Sequence, residues 1–386
     1  MPLTTEQIEL RDAARDFAAA NLGRDLEARD RRGAEDAEDW LGDWRKCAEY
    51  GFLSVQLPVE FGGRGMSVSS TAAMLEGLGM GCADNGLTLA VNGQVWAVTE
   101  AIKTFATDEQ ARRWLPGLGD GSLIGADGMT ERDSGSDAFA LETTAERVDG
   151  GYVLNGEKIL IGLAPRCDIA LVFASTDPAA GRWGVSAFIV EAGDEGFERG
   201  LPASKMGLRT APLGGLTLNN CFVPEDRLLG GEGDGGAIFQ HSVEWERCFI
   251  FASHVGSMAR QLEQCVDFAG RRKVFGTAIA NHQSVGNRLA DMRLRLETSR
   301  LMLYHAAEMK DRGEPCTMTA AMTKLHISEA FVANSTDALR IHGGAGYMTE
   351  TGVERDLRDA LGGVIYGGTS DIQRQVISAI LMGGRA

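Results

Sequence analysis

At 386 residues the chain exceeds the usual single-domain size, so two or three packed units are expected. A formal net charge of −16 argues against non-specific nucleic-acid binding, which needs a basic face, and no run of 18 apolar residues is present to span a bilayer. Seven dispersed cysteines without a CxxC pair, and six histidines without HExxH spacing, point away from disulfides and metal sites. The opening MPLTTEQIELRD has neither the basic start nor the apolar core of a signal peptide, so a cytoplasmic location is expected.

Residues 4–22 read as an amphipathic helix whose Thr4 and Gln7 can form a capping box. Further helices are expected at 37–50, 69–80, 93–105 and 108–121, the last ending in glycines. The pattern then changes. ETTAERVDGGYVLNGEKILIGL alternates with period two and carries turn signals at 149–151 and at Asn155-Gly156. IALVFAST, VSAFIVEA and LTLNNCFV add strands, which predicts a small antiparallel β-domain. After GGEGDGG helical periodicity returns at 237–269, 281–312, 318–341 and 369–382. The predicted organisation is α+β: a helical domain over 1–122, a β-domain over 123–229 and a C-terminal helical bundle over 230–386. GEGDGG at 231–236 fits GxGxxG but stands in no βαβ pattern, which argues against a nicotinamide Rossmann unit.

One helical stretch from His241 to Gly276 is the organising element. Glu246 lies near its start and Arg271-Arg272-Lys273 at its end. On residue type alone Glu246 reads as a solvated helix carboxylate. Trp245 and the apolar 248–252 segment instead suggest partial desolvation, which raises a carboxylate toward general-base range. Arg247 points about 100° away on a helix and acts on Glu246 through the field. The loops MTERDSGSD, GGAGYMTETG and IYGGTSDIQR read either as capped polar turns or as phosphate cradles, and spacing leaves both open.

Taken together, MTERDSGSD, YVLNGEKILI, VPEDRLLG, RRKVFG, NHQSV with LADM, IHGGAGY and YGGTSDIQR resemble the acyl-CoA dehydrogenase superfamily from end to end. The resemblance implies a helical N-domain, a central antiparallel β-barrel-like domain, a C-terminal four-helix bundle, a homotetramer and FAD shared between subunits. It makes Met129 and Thr130 flavin contacts, Gly135 and Ser136 contacts near the pyrophosphate and thioester arm, and Gly162 part of the flavin wall. It makes Arg272, Phe275, Gln283, Gly343 and Gly344 the grip on the dinucleotide from the adjoining subunit, with Thr369 and Asp371 as further FAD contacts. Many members place the base just before Gly-Thr in the last motif, where this chain has Gly367. A subset places it 26 positions before the Arg of the RxxFG turn, and 272 − 246 = 26 selects Glu246 over Glu244. Gly368 then supplies the backbone N–H that polarises the thioester carbonyl.

Three departures stand out: Arg132 replaces the Pro of TEP, Leu160-Ile161-Gly162 replaces an aromatic-x-Thr flavin contact, and Arg340 replaces the Gln before the GG loop. GGAIFQHSVEWER and residues 283–307 resemble most the L-prolyl–carrier-protein dehydrogenases of pyrrole-forming pathways. The expected reaction is α,β-dehydrogenation of an acyl or aminoacyl thioester, on a carrier protein or CoA, with hydride passing to flavin N5. Electrons would leave to an electron-transfer flavoprotein or to oxygen. The alternatives are a short- or branched-chain acyl-CoA dehydrogenase, a flavin oxidase or N-oxygenase, and a non-catalytic scaffold.

Overall fold

The computed structural model describes residues 3–33 and 37–384. The N-terminal helices are α1 (Thr5–Asn21), α2 (Leu26–Arg32), α3 (Ala37–Tyr50), α4 (Val68–Gly81), α5 (Asn85–Gly93), α6 (Glu100–Phe105) and α7 (Asp108–Asp120). Thr4 and Gln7 cap α1 reciprocally, as their spacing predicts, and Gly121 closes α7 with φ 75°. The helix expected at 93–105 starts earlier, at Asn85, and passes through a π-turn over Gln94–Thr99 before α6. Propensity carries no signal for that widened turn, which is set by what packs against it.

The middle of the chain forms β1 (Gly125–Gly128), β2 (Thr144–Val148), β3 (Gly151–Gly162), β4 (Ile169–Ser175), β5 (Val185–Glu191), β6 (Phe197–Arg199), β7 (Leu213–Pro224) and β8 (Leu228–Leu229). They make one sheet in the order β6-β7-β3-β2-β4-β5-β8, with β1 beside β4. Pairing is antiparallel except for β1 with β4 and a single β2–β4 step, which are parallel. Asn155-Gly156 is not a turn but a bulge inside β3, where the register against β7 shifts. Gly156 is needed there because a Cβ would meet Thr143 atoms at 2.3–2.7 Å. The turn lies at 149–150 alone.

The C-terminal helices are α8 (Gly235–Phe249), α9 (Ala252–Arg271), α10 (Gln283–Asp311), α11 (Thr317–His342), α12 (Val353–Gly363) and α13 (Ser370–Leu381). The expected single helix from His241 is therefore broken at Ile250–Phe251, and its last residues leave the helix for a hairpin, β9 (Lys273–Val274) and β10 (Thr277–Ala278). The break seats Phe251 beside Gly363 and stacks it on Tyr366 at 5.5 Å. Helix α12 was not expected from the sequence, where Gly352, Gly362 and Gly363 obscure a short amphipathic turn. A hydrophobic core joins α1, α3 and α4 to α8–α11, so the two helical regions share one interior. All seven cysteines are buried thiols. Among the described residues no helix is long and apolar enough to cross a membrane.

Candidate active site

Helix α8 packs against the π-turn and carries Glu246 to the loop before α13. Trp245 packs between Trp96 (5.9 Å) and Phe249 (5.6 Å), which fixes the rotation of α8 and turns Glu246 away from that aromatic wall. Glu246 retains partial exposure and accepts no hydrogen bond among the described residues. Burial raises its pKa above the ordinary glutamate value, while Arg247 and then Lys324 pull it back. Glu244, two residues earlier, is spent structurally: it pairs with Lys310 and accepts from Thr317, and its pKa is lowered. Unpaired and desolvated, Glu246 suits proton abstraction and Glu244 does not.

The loop before α13 comes to Glu246 from the other side. A Cβ built on Gly367 would lie 3.7 Å from Glu246 Oε1, and one on Gly368 would lie 3.7 Å from Arg247 Nη2. Both glycines have positive φ, 64° and 81°. Gln373 Nε2 donates to both of their carbonyls, at 3.1 and 3.0 Å, and Thr369 caps α13 by accepting from the Ile372 N–H. The Gly368 N–H makes no hydrogen bond among the described residues, so it is available as a donor to a ligand carbonyl.

The structure also brings in residues that the sequence did not single out. Lys324 is fully buried on α11, donates to the Gly363 carbonyl at 2.9 Å and is held down to about 8 by burial despite the Glu246 field. The Tyr366 hydroxyl lies 2.9 Å from His254 Nε2. Burial drives His254 down to about 4, so its ring is neutral near pH 7 and accepts from the tyrosine. Asp127 of β1 also faces α8. A lysine within the mostly small and apolar run TAAMTKL, and an aspartate inside a short strand, were the available signals.

Met129 and Thr130 follow β1. Their carbonyls accept from Lys158 Nζ (3.2 Å) and the Ile159 N–H (2.9 Å), which ties this loop to β3. Glu131 bonds Lys158 at 2.6 Å and accepts from the N–H groups of Glu142 and Thr143, while Arg132, at the position of the missing proline, is exposed. Lys158 and the two N–H donors outweigh burial and hold Glu131 below the usual carboxylate range. Gly135, Ser136 and Gly162 are exposed, and a Cβ on either glycine would meet nothing within 4 Å.

Arg272, Phe275 and Gln283 are not brought to Glu246. They lie at the C-cap of α9, in the β9–β10 hairpin and at the start of α10, all exposed. Phe275 is 94% exposed at φ 51°, an apolar ring in a strained backbone with His282 edge-on at 6.3 Å. Gly343 and Gly344 are exposed at the end of α11, and Asp371 is exposed beside Arg374. An open flavin-side wall and a hairpin offering an aromatic ring and guanidinium groups fit FAD: the ring can cover adenine and the cations its pyrophosphate. No group of three His, Cys, Asp or Glu among the described residues could hold a metal ion.

Family models described as acyl-CoA dehydrogenase N-terminal, middle and C-terminal domains match residues 4–122, 126–221 and 233–382. An L-prolyl-[peptidyl-carrier protein] dehydrogenase of Pseudomonas fluorescens is 42% identical over 336 residues, 87% of this chain and 88% of that one. Among solved structures, the prolyl acyl carrier protein oxidase AnaB superposes with a TM-score of 0.95 at 41% identity, covering 98% of this chain and 100% of that chain. PigA with FAD and proline superposes with a TM-score of 0.94 at 38% identity, covering 99% of each chain.

Proposed function

The chain belongs to the acyl-CoA dehydrogenase family, and on that premise we propose that Glu246 is the base of an FAD-dependent α,β-dehydrogenation of a carrier-protein-bound aminoacyl thioester, prolyl in the first instance. The observation that carries the assignment is the 3.7 Å between Glu246 Oε1 and a Cβ on Gly367. The carboxylate on α8 fills the space that a glutamate at 367 would reach, so one site holds one base.

Glu246 takes the Cα proton, and burial sets its affinity for that proton above that of a solvated glutamate. The Gly368 N–H donates to the thioester carbonyl as negative charge develops on it, with Gln373 holding the loop in position. Arg247 and Lys324 offset the charge of Glu246 before the proton arrives. Bound FAD supplies the acceptor for the hydride leaving Cβ. Met129, Thr130, Gly135, Ser136 and Gly162 are proposed to hold its flavin half, with Thr369 and Asp371 as further contacts. Arg272, Phe275, Gln283, Gly343 and Gly344 are proposed to hold the adenine half of a neighbouring copy's FAD. Their exposure in the single chain supports a homotetramer in which each site is completed across an interface. An electron-transfer flavoprotein or oxygen would reoxidise the enzyme.

The test is anaerobic bleaching of the bound flavin by prolyl-carrier protein, other aminoacyl-carriers and acyl-CoAs. Bleaching by prolyl-carrier supports the assignment. Bleaching by acyl-CoAs alone would replace it with a short- or branched-chain acyl-CoA dehydrogenase.

A further inference from the structure

In an aminoacyl thioester one carbon carries both the proton that the base must take and the amino nitrogen. A group that recognises the nitrogen must therefore stand beside the base, and it must keep the nitrogen from pairing with the base. Asp127 meets this requirement. Its Oδ2 lies 3.5 Å from Ser242 Oγ, and Ser242 is one helical turn before Glu246 on the same face of α8. Ser242 gives its shorter hydrogen bond, 3.1 Å, to the Ala97 carbonyl inside the π-turn, so it only grazes Asp127.

Asp127 Oδ1 is buried and has no hydrogen-bond partner among the described residues. Buried acceptors are normally satisfied, and one left open beside a catalytic carboxylate marks a place for a ligand donor. Burial first, and the facing Glu246 second, push Asp127 up to about 7; Ser242 and Lys158 oppose this. Lys158, the cation that acts on Asp127, is already engaged by Glu131 at 2.6 Å. A cation arriving between Asp127 and Glu246 relieves their mutual repulsion.

We propose that Asp127 is the specificity residue that accepts the α-nitrogen of the aminoacyl thioester, leaving Glu246 free for the Cα proton. The proposal rests on the dehydrogenase reading above and narrows its substrate to thioesters bearing an α-amine. A nitrogen-free acyl chain of the same shape leaves Oδ1 unsatisfied and is disfavoured, as sites built to bond a substrate N–H reject analogues lacking it.

The test uses two pantetheine thioesters, prolyl and cyclopentanecarbonyl, which differ by NH against CH₂. With the FAD-loaded enzyme, prolyl should bleach the flavin faster. Asp127→Asn should cut kcat/KM for prolyl by about 10–100-fold, the scale of one charge-assisted hydrogen bond. The same substitution should move the cyclopentane ester by less than about threefold, within the usual scatter of a substitution that breaks no contact. A Glu246→Gln background, in which binding is read without turnover, should show the same selective loss in the prolyl Kd. Equal losses on both esters, or no loss on prolyl, overturn the role of Asp127 and leave the dehydrogenase intact. Bleaching by the cyclopentane ester alone refutes the amine site while keeping the fold's chemistry. Bleaching by neither ester refutes the dehydrogenase reading beneath it.

Discussion

Glu246→Gln removes the proposed base while keeping its size and a polar end. General-base catalysis contributes about 10²–10⁴ in rate, which is about 2.7–5.5 kcal/mol of barrier at roughly 1.36 kcal/mol per tenfold. Because burial already works against the Glu246 carboxylate, the amide should not destabilise the protein, and FAD should be retained. The assay is single-turnover flavin bleaching under anaerobic conditions, with FAD content checked by absorbance. The structure adds a relocation test: Glu246→Ala combined with Gly367→Glu moves a carboxylate into the same space from the opposite wall. A side chain at φ 64° costs about 1–2 kcal/mol, so rescue should be partial, on the order of tenfold over Glu246→Ala alone. Glu244→Gln is the control. It strands Lys310 and should cost about 1–3 kcal/mol of stability with bleaching changed only a few-fold. If Glu246→Gln bleached at the wild-type rate, or Glu244→Gln lost bleaching instead, the reasoning would fail.

Phe275→Ala should lower FAD occupancy after gel filtration while changing thermal stability by less than about 0.5 kcal/mol, because the ring touches little of its own chain; full retention of FAD would remove Phe275 from the cofactor grip. Lys158→Met leaves Glu131 buried without its cation and should cost about 3–5 kcal/mol in denaturant unfolding. Adding Glu131→Gln should recover only part, since the Glu142 and Thr143 N–H groups still need acceptors. Burial pushes Asp359 up to about 7 from an ordinary value of 3.8, against hydrogen bonds from Leu208 and Asn85. A raised carboxyl contributes stability that is fully present below about pH 3.8 and lost as pH rises through about 7. Asp359→Asn should therefore gain on the wild type between pH 5 and pH 8 by about 1–3 kcal/mol, below the roughly 4 kcal/mol that a full shift would give at about 1.36 kcal/mol per unit. A wild-type minus variant difference that stays flat with pH would contradict it.

The order of helical, β and helical segments was legible because local periodicity records which face of each element is buried. The Thr4–Gln7 cap, the strands at 169–175 and 185–191 and the long helices from 283 and 317 all follow from residues a few positions apart. Glu246 was legible only through the resemblance, by its distance from Arg272 and the loss of an acid at Gly367. Composition alone would have left it on a solvated helix face.

Tertiary structure decided what local pattern does not encode. The break at Ile250–Phe251 lies in a uniformly apolar run, and it exists because Phe251 packs against Gly363 and Tyr366, more than a hundred residues away. Gly156 reads as a turn by propensity and becomes a bulge because the Thr143 backbone passes against it. Glu244 and Glu246 are the same residue type two positions apart. Only the Lys310 and Thr317 side chains beside one, and their absence from the other, separate a structural acid from a candidate base. Asp127, marked in the sequence only as an acid inside a short strand, acquires meaning from the helix laid across it. Charge and packing between distant segments set these environments, and sequence records them only through the fold.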